Sequence, residues 1–386
     1  MRKTRAAPRI ALALAGGGPL AAVYEIGALC ALEEAVDGLD CTRLQHYVGV
    51  SAGGFIAASL ANGLSPRALC AAFVEDGGGE AAEAFDPAWL MVPAYAEFAR
   101  RALRLPLLAA SALAGPWRWA ALLAEFGPAI PTGLFANEEI HRRLARVFSQ
   151  GGRSNDFRQL RARLSLVATD LDSGDAVALG GKGWDHVPIS RAVQATAALP
   201  GLFPPVDIDG HSFVDGALKK TLHASVALEE GTDLLLCLNP LAPYRGTARI
   251  AEGGLPAVLG QTLRALIHSR LEAAMRNYAR AYPGTDIVLL EPEPDDARVH
   301  LASAFSYRRR RELAEHAYRQ TRAQLLARHG QLAPMFARHG LVLRADLLAD
   351  TSRSLIAQAP PRHRLGRTLA DLGQALDSID RRLRPA

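Results

Sequence analysis

Ser51 lies in Gly49-Val50-Ser51-Ala52-Gly53, between an apolar run at 44–50 and a helical stretch at 55–61 closed by Asn62-Gly63. Gly-x-Ser-x-Gly between a strand and a helix is the pattern of a nucleophile elbow, whose sharp turn lifts the serine oxygen clear of the sheet. The glycines on either side let neighbouring backbone approach where a Cβ would clash. The helix behind aims its N-terminal N–H groups at negative charge forming near the serine. An ordinary serine in a tight strand–helix turn carries the same pattern, so the reading depends on finding partners for a nucleophile elsewhere in the chain.

A serine nucleophile needs a base for its proton and donors for an oxyanion. Gly16-Gly17-Gly18 follows the apolar run at 10–15 and precedes a helical stretch at 21–36, so its backbone N–H groups can line an anion-binding concavity. A phosphate cradle is the competing reading. The G-x-G-x-x-G spacing is not met, because position 21 is alanine, and no Gly-Lys-Ser/Thr of the P-loop kind occurs. For the base, the order Ser, Asp or Glu, His would draw on His223, His268, His300 or His316, none of which lies in a distinctive turn. Asp215 is better placed. In Phe213-Val214-Asp215-Gly216-Ala217 it ends a short apolar run, and the glycine behind it allows a turn that presents the carboxylate. A generic Asp-Gly turn would read the same in isolation.

Strand-like and helix-like segments alternate around these residues, which predicts an α/β fold with a mostly parallel central sheet covered by helices. The expected strands are 10–15, 44–50, 164–170, 233–238 and 286–290, with a long helix over 255–281. Ser65-Pro66 starts another helix, serine as N-cap and proline at the first helical position. Residues 103–126 are almost wholly apolar, with Trp117 and Trp119 near the middle; Pro106, Pro116 and interrupting arginines argue against a membrane span and for a lid or a membrane-contact hairpin. Past Tyr307 the pattern is helical and arginine-rich. Beyond 331 it weakens, with a break at Pro360-Pro361 and an amphipathic stretch at 369–383, giving a hydrolase-sized domain at 9–330 and a helical extension at 331–386.

The glycine loop, the serine elbow and Asp215-Gly216-Ala217, in that order, resemble the patatin-like phospholipase family. The likeness continues through Ile26-Gly27-Ala28-Leu29 and Ala31-Leu32-Glu33-Glu34, through Ala168–Gly174, and through the segment 192–205 that leads to the aspartate. The resemblance implies a three-layer α/β/α fold and a Ser–Asp dyad without histidine. Ser51 would attack an acyl ester, Asp215 would take its proton, and Gly16, Gly17 and Gly18, with the Ala52 N–H, would hold the oxyanion. It implies no metal and no organic cofactor. Two positions depart from the family pattern: Leu20 and Ala21 stand where an Arg or Lys and a Gly are common. Two other readings stay open: an acyltransferase or thioesterase using the same dyad, and a catalytically weak lipid-binding protein, which Leu20 and Ala21 favour.

Composition fits this picture. With 386 residues, 49% hydrophobic and 22% charged, the chain can bury a large core. From Arg298 onward there are 17 Arg against 7 Asp and Glu, so the net charge of +5 is concentrated in the last quarter. Such a region suits a phospholipid surface; no zinc-finger spacing or aromatic RNA-binding motif accompanies it, so nucleic acid is not expected. Four scattered cysteines read as buried apolar residues in a reducing compartment. The apolar run at 10–15 is too short for a secretory signal and reads as a buried first strand. The expectation is a cytoplasmic protein, peripheral on the inner membrane, acting on phospholipid or another fatty-acyl ester.

Overall fold

The computed structural model describes residues 8–75, 92–103, 130–220, 222–247, 249–300 and 309–356. Most of the apolar segment at 103–126 and the whole of 369–383 lie outside the described residues. The main sheet is built from β1 (Ile10–Leu14), β3 (His46–Gly49), β4 (Arg163–Asp170), β5 (Ala176–Leu179), β6 (Val206–Ile208), β7 (His211–Asp215), β8 (Leu234–Leu238) and β9 (Asp286–Leu290). A small second sheet pairs β2 (Val36–Asp37) with β10 (Val342–Leu343).

Five strands run parallel in the order β4-β3-β1-β8-β9. Their sequences are near-continuous apolar runs because both faces are covered. Side chains alternate between two cores. Leu12, Leu14, Tyr47, Leu164 and Leu236 point into one, shared with α1 (Gly18–Ala35), α2 (Ala52–Ala61) and α5 (Arg310–Ala327). Ala11, Ala13, Val48, Val167 and Leu235 point into the other, closed by Leu271 and Tyr278 of α4 (Gly254–Ala281). The result is the expected three-layer α/β/α arrangement.

The sheet is mixed at one end. β5 and β7 pair antiparallel with β4, and β6 with β7. These strands of three to five residues leave half their positions exposed or half-buried, so no long apolar run announces them. Helix α3 (Ile189–Thr196) lies between β5 and β6 in the chain. Past residue 331, Leu332, Phe336, Leu343 and Leu348 join the same core as α1, and β10 zips onto β2 at the end of α1.

Candidate active site

β1 leads into the glycine loop and β3 into Ser51, and the chain leaves β1's two neighbours, β3 and β8, in opposite directions. A crevice outside the carboxyl ends of strands at such a reversal is where open α/β sheets place ligands. Ser51 has φ 52° and ψ −120°, and it is one of two described non-glycine residues with positive φ. A serine held there costs on the order of 1–3 kcal/mol, so the surroundings must over-determine the turn.

They do so through backbone contacts. The Val50 N–H donates to Leu14 O at 3.2 Å, and the Gly53 N–H to Ala15 O at 3.1 Å. The Ser51 N–H donates to Thr196 Oγ1 at 2.9 Å, and the Thr196 hydroxyl donates to Val167 O. Thr196 thus ties the elbow to β4 from the end of α3, with its side chain fully buried. Thr196→Val would leave the Ser51 N–H and Val167 O without this partner. Such a loss costs about 1–3 kcal/mol. Thermal unfolding should show a fall of several degrees, together with a roughly tenfold drop in any Ser51-dependent rate, and Thr196→Ser should restore both.

Serine at an N-cap position ordinarily turns its oxygen back onto the helix. Ser51 is the N-cap of α2 but makes no such bond. Its side chain instead lies close enough to Asp215 to pull the pKa of that carboxyl down. The topology explains how residues so far apart in sequence meet. Ala168 of β4 pairs with Val177 of β5 and with Asp215 of β7, so β5 and β7 lie on opposite edges of β4. β3 occupies the β7 edge but stops at Leu166, opposite Gly49. β7 runs down that same edge from the other direction and ends where β3 ends, bringing Asp215 to Ser51.

Asp215 is 2% exposed and Ser51 7%. Asp215 Oδ1 also accepts the Ala217 N–H at 2.8 Å, and the Asp215 N–H donates to Ala198 O at 3.0 Å. Burial lifts the Asp215 carboxyl to about 6, against the downward pull of the Ser51 and Ala217 hydrogen bonds. A carboxylate raised that far is a better proton acceptor near neutrality than an exposed one.

Gly16 touches this pair closely. A Cβ there would lie 3.0 Å from the Ser51 Cβ and 3.2 Å from the Ala217 Cβ. Gly17 has φ 141°, and a Cβ on it would come within 2.6 Å of the Ala21 Cβ, so the alanine at the departing position packs directly against the loop. Gly18 opens α1 with Gly17 as its N-cap and no side chain capping it. Among the described residues no protein acceptor takes the N–H groups of Gly16, Gly17, Gly18 or Ala52. Two helix N-termini, those of α1 and α2, therefore converge beside Ser51 with unsatisfied donors, an electropositive setting for a developing anion. Leu20 is half-buried against the core and brings no cation to the loop.

The downstream histidines lie elsewhere. His223 is buried and its Nε2–H donates to Gly216 O at 3.3 Å, bracing the turn behind Asp215; burial lowers its pKa to about 4. His268 faces Glu272 and Glu291, His316 bonds Asp296, and His300 ends a short helix, Ala297–His300. Among the described residues no group of three or more His, Cys, Asp or Glu side chains could hold a metal ion.

Sequence reasoning missed Thr196 and Glu25. Thr196 sits within the segment 192–205 but offers no local sign of its contact 145 residues away. Glu25 of α1 is fully buried against the Ala15 backbone, and burial pushes its carboxyl well above the usual carboxylate range. A lone glutamate in an otherwise apolar helical face is its only signal.

The sequence model of the patatin-like phospholipase family matches residues 12–228, more than half of the chain, and takes in the glycine loop, the elbow and Asp215. The chain belongs to the patatin-like phospholipase family. This patatin-like chain is also similar to uncharacterised NTE family proteins of Mycobacterium tuberculosis and Mycobacterium bovis, at 29% identity over 111 residues. That match spans 29% of this chain and 29% of each relative's length. Among solved structures it is similar to VipD from Legionella pneumophila, at 16% identity and a TM-score of 0.38 over 84% of this chain and 67% of that one. Human GIVD cytosolic phospholipase A2 matches at 13% identity and a TM-score of 0.31, over 76% and 50% of the two chains. Among the described residues, no helix of the patatin-like chain is long and apolar enough to cross a membrane.

Proposed function

We propose that the protein is a lipid acyl hydrolase of the phospholipase A or lysophospholipase type, working through a Ser51–Asp215 dyad. Ser51 Oγ attacks the carbonyl carbon of a fatty-acyl ester while Asp215 takes the hydroxyl proton. The tetrahedral oxyanion is held by N–H groups of the Gly16–Gly18 loop and of Ala52. Its collapse breaks the ester bond, the leaving alcohol takes the proton back from Asp215, and the acyl group stays on Ser51. Water then attacks the acyl-enzyme, giving its proton to Asp215 and releasing the fatty acid as Ser51 regains a proton. No metal or organic cofactor enters the scheme.

The observation that carries this reading is the strained, buried Ser51 brought beside the buried Asp215 where β3 and β7 end on the same edge of β4. Family membership supports the lipid substrate class. We place the reaction in residues 9–330, with 331–386 as a helical extension, in a protein of the cytoplasm peripheral to the inner membrane. Free, buried Cys30, Cys41, Cys70 and Cys237 are compatible with a reducing compartment.

Incubation with phospholipid in ¹⁸O-water tests the proposal. Free fatty acid should appear with one ¹⁸O in its carboxylate. Absence of fatty-acid release would overturn the reading, and acyl groups found only on an added alcohol would make the protein an acyltransferase. Gly16→Ala gives a second check on the loop. Its Cβ would press on both Ser51 and Ala217, so turnover should fall roughly 100-fold or more, while thermal unfolding shifts by only a few degrees.

A further inference from the structure

The N-terminal half of α4 exposes leucines that belong to neither core. Leu255 is 69% exposed, Leu259 59% and Leu266 55%, with Val258 and Leu263 also exposed. At 100° per residue Leu255, Leu259, Leu263 and Leu266 fall within an arc of about 80°, so they form one stripe. From Gly253 to Leu271 the chain has no Asp or Glu, while Arg264 and Arg270 lie in the same stretch. Ile267, Leu271 and Tyr278, by contrast, are buried. The helix is anchored by its second half and offers its first half to something else.

That first half stands at the mouth of the candidate active site. The Gln261 side chain donates to Tyr244 O at 2.7 Å, holding the loop whose Leu241 lies against Gly17. Arg270 donates to the carbonyls of Leu218 and Lys219, at the end of the turn that begins with Asp215. Across the site, Tyr95, Leu103, Ile130 and Leu134 are exposed as well. Their strip is bound to the rim through Leu134 N–H to Gly201 O at 3.2 Å, and the same rim supplies the Ala198 carbonyl that holds Asp215. Nine of the thirteen large apolar side chains exposed among the described residues sit on these two rims. Basic groups border them: Arg245, paired with Glu272, and Arg249, paired with Glu252, before the helix, and Lys219, paired with Asp175, with Lys220 beside the dyad turn.

We infer that the exposed stripe of α4 and the facing rim seat the protein on an anionic lipid bilayer, with the site opening toward the lipid. Apolar side chains flanked by arginines and lysines, with no carboxylate along the stripe, match the boundary between acyl chains and anionic headgroups. This inference rests on the lipid-hydrolase reading for its purpose, but its test does not need turnover.

The test is flotation of the full chain with phosphatidylcholine vesicles and with vesicles containing 30% phosphatidylglycerol. The Ser51→Ala variant should float as the wild type does, preferring the anionic vesicles. Leu259→Glu/Leu263→Glu should lower that partition at least tenfold while turnover of a water-soluble short-chain ester stays within about twofold. Because the double variant could misfold, Leu263→Cys carrying an environment-sensitive fluorophore provides a second measurement; emission should rise at least twofold on adding anionic vesicles. Unchanged flotation of the double variant, or no emission change, would overturn the inference. So would a wild-type dimer that the double variant converts to monomer, which would make the stripe a self-association surface. Binding through α4 without any ester hydrolysis would sink the proposed function and leave this inference standing; hydrolysis of soluble esters without vesicle binding would do the reverse.

Discussion

Ser51→Ala should remove covalent labelling by a fluorophosphonate and lower ester turnover by roughly 10,000-fold or more, the scale seen when a catalytic serine is lost. Ser51 makes this prediction stronger than a motif match would. Its backbone is held at φ 52° by the Thr196 hydroxyl, and its side chain makes no bond to the helix it caps. The methyl group of alanine fits the same turn, and Gly16 already leaves room for the Ser51 Cβ. The variant should therefore fold like the wild type, and its loss of rate can be read as chemistry. Intact-mass spectrometry gives the result directly: one adduct per wild-type chain, none on the variant. Labelling of another serine at the wild-type rate would remove Ser51 from the reaction.

Asp215→Asn carries the second large effect. An amide cannot take the hydroxyl proton, so turnover should fall by roughly 1,000-fold or more. In the wild type the rate should rise with pH through about 6 as the buried carboxyl ionises, then level off; the residual rate of the variant should lack that limb. Stability should move the other way. Burial raises Asp215 from its ordinary 3.8 to about 6 in the folded chain, so the protonated form favours folding, and that contribution is lost as pH rises through 6. At pH 8 the ionised carboxylate then costs the fold about 3 kcal/mol relative to a group that never ionises. The asparagine variant should unfold at a higher temperature than the wild type at pH 8, with the gap closing toward pH 4. A variant that is both less active and less stable at pH 8 would contradict the burial argument.

The parallel core was legible in the sequence because strands buried on both faces must be apolar along their length. The runs at 10–15, 44–50, 164–170, 233–238 and 286–290 overlie β1, β3, β4, β8 and β9 within two residues at either end. The antiparallel strands were not legible. β6 and β7 are short and exposed on one side, and β5 differs from a loop only once β4 is there to pair with it. The candidate site was legible as far as each part sits in its own local pattern: glycines after a strand, serine in an elbow, aspartate before a glycine. What joins the parts was not. The meeting of Ser51 and Asp215 depends on β7 filling the edge that β3 vacates, and the brace from Thr196 depends on where α3 ends. The same holds for Ala21, a departure from the family pattern in sequence and a close packing contact of Gly17 in the structure.

The central claim is that Ser51 and Asp215 together cleave lipid acyl esters with no histidine in the reaction. Fatty-acid release from phospholipid in mixed micelles at pH 8, measured for the wild type, Ser51→Ala, Asp215→Asn and His223→Ala, tests it most directly. The account predicts steady release by the wild type, less than about a thousandth of that rate from the first two variants, and activity in His223→Ala in proportion to its folded fraction. Release at the wild-type rate by Ser51→Ala or Asp215→Asn, or silence from a folded His223→Ala protein, would contradict it.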